Sequence, residues 1–396
     1  MVWMYAWAAL TASAADEDRW QRTIDEVSTA VVAIQMDRPV AFEGNTPSNS
    51  QATGFVIDAE QGLVLTNRHV VTEAPVVARA SFRNREEVAL VPVYRDPIHD
   101  FGLFRYDPAD VRFHRAASLD LRPDKAKEGL EIRVIGNDSG EQLAILDGTL
   151  ARLDRDAPTY GSNYNDFNTF YLQASAGISG GSSGSPVVDV GGDVVGLNAG
   201  GATGGRASSF FLPLERVQRA VALIRAGKPV TRGTLQTTWV YEGYDGLRRL
   251  GLPEDVEARA RRQRPSGTGL LVLKDVLDKG PADGLLEVGD ILVSVADRPI
   301  HDFVTLEGLL DERVGESLPV VVVRRGETLT VRPTVGNLHD LMPDAYVRVG
   351  GAVLHDLSYH QARLVQTPVE GVFVAANGFS FERDGVPNRA ILVAAD

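Results

Sequence analysis

Residues 174–189 read ASAGISGGSSGSPVVD, five serines set among glycines and running straight into a β-branched pair. A Ser/Gly run taken alone behaves as a flexible linker. Its flanks argue otherwise. TFYLQAS (169–175) before it and PVVDV (186–190) after it are strand-like, so the run is a turn inside a β-structure. A serine held in such a turn raises the question of nucleophilic chemistry. That chemistry needs a base within hydrogen-bond reach, a group that orients the base, and donors that meet the oxyanion.

Of seven histidines, only His69, His99 and His114 fall in the same β-rich region as the serine run. His69 lies in LVLTNRHVV (63–71), where the end of a strand hands it to a loop. His99 and Asp100 are adjacent in DPIHDFGLF (96–104). Neighbours on an extended chain face opposite sides and do not pair with each other. Asp100 precedes an apolar strand, a place where a carboxylate ends up covered. A single histidine or aspartate of this kind is ordinarily structural; the weight comes from finding both together with the serine turn.

The bulk numbers narrow the class. A chain of 396 residues predicts two or three domains, and 44% hydrophobic with 23% charged residues is ordinary for a globular protein. A net charge of −13 without a long Lys/Arg run argues against nucleic acid and anionic membrane surfaces as partners. The lack of cysteine excludes disulfides, thiol nucleophiles and thiolate metal sites. Scattered histidines with no His-Glu-x-x-His run predict no metal, and GGATGG (200–205) has no following lysine to make a phosphate loop; no cofactor is expected. The start, MVWMYAWAALTASAA (1–15), reads as a truncated signal peptide: a short apolar core and a small-residue cleavage site, without the basic leader. No other stretch approaches the roughly 18 apolar residues of a membrane span.

Short strands at regular spacing fill residues 16–228, which predicts an all-β barrel or sandwich closed by one helix in PLERVQRAVALIRAGKP (213–229). The stretch 154–168 is long, polar and aromatic, in the manner of a binding loop. Residues 229–336 mix strands and helices as an α+β domain. A third unit, 337–396, stops after about 60 residues, short of a full domain.

TNRHVV (66–71), DPIHDFGLF (96–104) and GGSSGSPVV (180–188), in that order, resemble the His, Asp and Ser motifs of trypsin-fold serine proteases of the HtrA type. The likeness is strongest to the nuclear, pro-apoptotic-type branch with repeated protease and PDZ units, through ATGFVID, YRDPIHDFGLFRYDP, IRVIGND and YNDFNTFYLQASA. It implies a mainly β fold: a trypsin-like double β-barrel, then an α+β PDZ domain and a partial second PDZ-like unit. By the same resemblance, with Pro186 fixing the register, Ser183 is the nucleophile, His69 the base and Asp100 its orienting group. Gly181, Ser182 and Ser183 supply the oxyanion hole, and Leu197, Asn198, Ala199 and Gly200 one wall of the substrate pocket. Ser182 and Ser185 depart from the family's usual Asn or Asp and second Gly. No acidic residue marks a pocket base, since Asp189 and Asp193 read as hairpin residues, so cleavage after small or medium apolar residues is expected. RGTLQTTWV (232–240) resembles the loop and strand with which a PDZ domain captures a peptide C-terminus, placing Arg232, Gly233, Thr234 and Leu235 at the carboxylate. The implied function is a serine endopeptidase acting on unfolded or damaged protein, the alternative a non-catalytic PDZ-bearing scaffold or holdase. Homo-oligomers are common in the family, and the assembly stays open. The leader points to the periplasm, the family branch to the nucleus, with the cytoplasm as the remaining alternative.

Overall fold

A computed structural model describes residues 17–72, 74–138, 141–158, 165–175, 182–202 and 208–393. The apolar leader and Gly181 lie outside the described residues, as does the middle of the 154–168 stretch. The chain divides into two compact units. The first holds the chain up to Val40 together with Pro47–Pro158 and Phe170–Gln218; the second holds Ala41–Thr46, the stretch leading to Thr169, and everything from Arg219.

The first unit opens with helix α1 (residues 17–30), which buries Trp20, Val27 and Ala30 along one face. Six strands then close into a barrel: β1 (Val31–Arg38), β2 (Ser48–Asp58), β3 (Leu63–Thr66), β4 (Val77–Ser81), β5 (Glu87–Arg95) and β6 (Gly102–Arg105), in the order β1-β2-β3-β6-β5-β4. Period-two patterning sets their facing: Ile34 and Met36 are buried while Gln35 and Asp37 between and after them are exposed. A one-turn helix, α2 (Arg68–Val71), follows β3. A second barrel uses β7 (Glu131–Asp138), β8 (Glu141–Asp156), β9 (Phe170–Ala174), β10 (Pro186–Val188), β11 (Val194–Ala202) and β12 (Ser208–Leu212), ordered β10-β11-β12-β9-β8-β7. Its core is Ile132, Val134, Leu150, Leu172, Val187, Val195 and Phe211. Closure leaves neither barrel an unpaired edge. The two are stitched at Thr53 on β2: its N–H donates to the Ser183 carbonyl at 2.9 Å, and its hydroxyl accepts the Asn137 N–H at 2.9 Å. Helix α3 (Glu215–Arg225) buries Val217, Ala220 and Val221 and ends where Gly227 takes φ 65°.

In the second unit β13 (Gly233–Thr234) leads into β14 (Thr237–Gly243), followed by α4 (Tyr244–Arg249), α5 (Glu254–Gln263), β15 (Gly269–Val276), β16 (Ile291–Val295), β17 (Arg298–Pro299), α6 (Phe303–Glu312), β18 (Val320–Arg324), β19 (Glu327–Val331) and β20 (Gly336–Asn337). The sheet runs β14-β15-β16-β18-β19, so β14 is an end strand, while β13 pairs with β20. Tyr244, Leu247, Val256, Leu270, Ile291 and Val323 form the core beneath α4 and α5. A smaller sheet, β21 (Val347–Val349), β22 (Ala352–Asp356), β23 (Val372–Ala376) and β24 (Ile391–Leu392), carries α7 (Tyr359–Val365) and α8 (Gly378–Arg383). The Ala41–Thr46 segment belongs here because Phe42 stacks on His355, centroids 4.3 Å apart, and the Glu43 N–H donates to His355 Nε2 at 3.0 Å.

Candidate active site

Loop chemistry at the end of the first barrel positions His69. Asn67, fully buried, holds the N-cap position of the turn after β3 through its backbone carbonyl, which accepts the Val70 and Val71 N–H groups, and donates its Nδ2 to the Asp100 carbonyl at 3.0 Å. Asp96, also fully buried, accepts the N–H groups of Ile98 and His99 at 2.9 and 2.7 Å. These are the bonds of an Asx turn. The turn delivers Asp100 beneath His69. The Asp100 carboxylate, 4% exposed, accepts His69 Nδ1–H at 2.9–3.0 Å and the His69 backbone N–H at 3.1 Å. With Nδ1 occupied in this way, Nε2 is left as the ring's basic atom. The ring itself is 47% exposed. Protein packed around it works to lower its proton affinity, and Arg38 and Arg68 add to that. The Asp100 charge and hydrogen bond outweigh them, so the imidazole titrates above its ordinary value.

The serine turn resolves which hydroxyl is available. Ser185 is fully buried and donates Oγ–H to the Ser182 carbonyl at 2.6 Å. Ser182 is 4% exposed, with its Oγ accepting from Asn198 Nδ2 at 3.2 Å. Ser183 alone of the three is only half-buried. The turn's shape depends on Gly184, at φ 85°, where a Cβ would run into the Thr53 carbonyl and the Thr66 hydroxyl. Thr66 Oγ1 donates to the Thr53 carbonyl at 2.7 Å. Ser183, Thr53 and Thr66 are thus tied in one chain of bonds, three residues before His69.

The expected pocket residues are on β11. Leu197, Asn198 and Ala199 are buried and Gly200 half-buried, at a shift of register against β12. Asn198 has a further role that its place in the sequence did not signal: Nδ2 donates to the Ser182 carbonyl at 2.7 Å, and its backbone bonds both Gly184 and Ser185. It braces the serine turn. Asn67 and Asp96 were likewise missed as positioning residues; the signal available was only an Asn two residues before the His and an Asp four residues before the Asp. Asp189 and Asp193 close the β10–β11 hairpin, Asp189 Oδ1 accepting from Gly191 and Asp193 N–H, and both pair with Lys125. In the second unit Arg232, 2% exposed, puts Nη1 3.0–3.1 Å from both carboxylate oxygens of Asp311, and the Gly233 N–H donates to Asp311 Oδ1 at 2.9 Å. Thr234 and Leu235 are buried.

Residues 52–197 match the trypsin-like peptidase domain family and residues 340–395 the PDZ-like domain family. The chain is 51% identical over 370 residues to the pro-apoptotic serine protease NMA111 of Phaeosphaeria nodorum, covering 92% of this chain and 36% of that protein. It is 49% identical over 377 residues to the NMA111 of Ajellomyces capsulatus, covering 95% and 37%. The chain therefore spans little more than a third of the length of these relatives. Among solved structures, the HtrA-type protease AlgW with a tripeptide superposes with a TM-score of 0.59 at 22% identity, covering 80% of this chain and 97% of that one. A serine endoprotease from Yersinia pestis gives 0.53 at 21%, covering 81% and 98%. At those identities the likeness is one of fold. With a His–Asp pair and a serine turn on a double barrel, and about half its sequence shared with pro-apoptotic serine proteases, the chain carries a trypsin-like peptidase domain followed in sequence by a PDZ-like domain.

Proposed function

We propose that the chain is a serine endopeptidase and that Ser183 is its nucleophile. The observation that carries this is the division of labour within one turn: Ser182 and Ser185 are covered and engaged in holding the loop, while Ser183 is accessible on the unit that presents the Asp100-oriented imidazole. In this reading Ser183 Oγ attacks the scissile carbonyl as His69 Nε2 takes its proton. The proton then passes to the departing amine, and water hydrolyses the acyl-enzyme by the same route. Asp100 holds the tautomer and steadies the imidazolium. The Ser183 and Gly181 N–H groups are assigned to the oxyanion. Substrates are extended peptide segments of unfolded or damaged protein, cut after small or medium apolar residues, with the PDZ-like parts adding peptide contacts of their own.

A fluorophosphonate probe tests this directly. Wild type and Ser185→Ala should label and Ser183→Ala should not, with peptidase turnover falling by about 10⁴–10⁶ in Ser183→Ala. Undiminished labelling of Ser183→Ala would overturn the assignment and leave the non-catalytic scaffold as the reading.

A further inference from the structure

We propose that Ser185 and Asn198 are positioning residues for the oxyanion donor: together they grip the Ser182 carbonyl, and that grip aims and strengthens the Ser183 N–H. The proposal rests on the reading of Ser183 as nucleophile and names what readies the donor beside it. The Ser182 carbonyl oxygen accepts three hydrogen bonds, from Ser185 Oγ–H at 2.6 Å, from Asn198 Nδ2 at 2.7 Å and from the Ser185 backbone N–H at 3.1 Å. A carbonyl oxygen has two lone pairs, so this one is more than fully engaged.

The peptide plane carries the effect to Ser183. The 182–183 peptide is trans, and in a planar trans peptide the C=O and N–H point opposite ways. Fixing the carbonyl therefore fixes the Ser183 N–H, which points away from Ser185 and Asn198. That N–H meets no acceptor among the described residues, and Ser183 is only half-buried, so the donor is open to an incoming oxygen. Each bond to the carbonyl also draws electron density through the amide and leaves the N–H more strongly polarised, in the way that chained hydrogen bonds reinforce one another. A developing oxyanion is the acceptor that gains most from such a donor.

Both gripping side chains are themselves held in place. Ser185 and Asn198 are fully buried. Asn198 is tied to the turn through its backbone as well: its N–H donates to the Ser185 carbonyl at 3.0 Å and its carbonyl accepts the Gly184 N–H at 2.9 Å. Room for the Ser185 hydroxyl comes from Gly136 on β7, where a Cβ would lie 1.8 Å from Ser185 Oγ. The three donors thus converge from fixed positions on one oxygen, a more specific arrangement than bracing a loop requires.

The test uses the full chain with Ser185→Ala and Asn198→Leu, which remove a donor and largely keep the packing, singly and together. Titration with a fluorophosphonate counts functional Ser183. Each variant should reach the wild-type end point, because Ser183 and the His69–Asp100 pair are untouched, but at a lower rate. On a valine peptide p-nitroanilide, kcat should fall at least about tenfold in each single variant and about 10²-fold in the double one, the scale of losing an oxyanion donor, with KM unchanged. The matching trifluoromethyl ketone separates positioning from packing. Ser183 Oγ bonds to its carbonyl carbon, the hydroxyl proton passes to His69 Nε2, and the carbonyl π pair becomes the oxyanion, so its affinity should fall by the same factor as kcat/KM. Affinity for the matching peptide alcohol, which forms no oxyanion, should stay at the wild-type value. Equal losses for ketone and alcohol, or wild-type kcat and labelling rate in the single variants, would overturn the proposal and leave the two residues as braces of the loop. A wild-type chain that does not label would overturn the nucleophile reading, and this one with it. Each single variant decides on its own, and circular dichroism shows which of them folds.

Discussion

At His69, the proposed base, one carboxylate sets the direction in which the imidazole titrates. Burial and two arginines push its imidazole toward the neutral form, and Asp100 wins against them. Only the neutral ring can accept the serine proton. The acidic limb of a kcat/KM profile should therefore lie above the ordinary imidazole value of about 6.5, with activity lost as pH falls through it. Asp100→Asn removes the group that raises the value and keeps those that lower it. The limb should then move below the ordinary value while turnover drops by about 10⁴; a limb that stays in place would mean Asp100 does not govern the ring. The same shift carries a stability consequence of opposite direction. Because the folded value is the higher one, the pair contributes fully below the unfolded imidazole value and is lost as pH rises through the folded value.

At the scale of the element, the serine turn is held less by its own residues than by two strands behind it. Thr53 and Thr66 from the first barrel and Asn198 from β11 define the space into which the turn folds. Gly184 is where that space is tightest. Gly184→Ala combines a left-handed φ with a collision against backbone, and should cost clearly more than Gly129→Ala, which has φ 82° with open space around it. The glycine-only conformation accounts for about 1–2 kcal/mol in each; the excess at 184 measures the close approach. Urea unfolding of the two variants, with probe labelling of Ser183 alongside, separates strain from collapse of the site: Gly184→Ala should lose both stability and label, Gly129→Ala only stability. Equal losses would show that Thr53 and Thr66 give way.

At the scale of the whole molecule, each unit has its own core, and the second is organised around a buried charge cluster rather than apolar contacts alone. Arg232 and Asp311 are 2% exposed each, with Glu307 close by, its Oε2 3.9 Å from Arg232. Removing the cation leaves carboxylates uncompensated in a dry site, so Arg232→Ala should destabilise the chain by about 3–5 kcal/mol. Arg232→Met with Asp311→Leu should recover part of that loss in denaturant unfolding followed by tryptophan fluorescence. A double variant no better than the single one would show that Asp311's bonds to the Gly233 N–H, not its pairing with Arg232, are what the unit depends on.

The class of fold was legible because it rests on local pattern, and so were the contiguous motifs that carry His69, Asp100 and Ser183. Period-two strands, turn glycines and the His, Asp and Ser motifs are contiguous in sequence, and ASAGISGGSSGSPVVD carries its own punctuation. The family branch was legible for the same reason, through long unbroken runs such as YRDPIHDFGLFRYDP. What the chain order could not express is which distant groups share a hydrogen bond. Asn198 bracing Ser182 from 16 residues away and Asp311 holding Gly233 across 78 both depend on where barrels and sheets bring the backbone after folding. Sequence alone thus determined the elements, because side-chain period and turn chemistry are local, and it singled out Ser183 only through the family resemblance of the motif around it. Tertiary structure alone decided which serine is free and what grips the carbonyl before it, because burial and hydrogen-bond partnership arise only once remote segments compete for the same space.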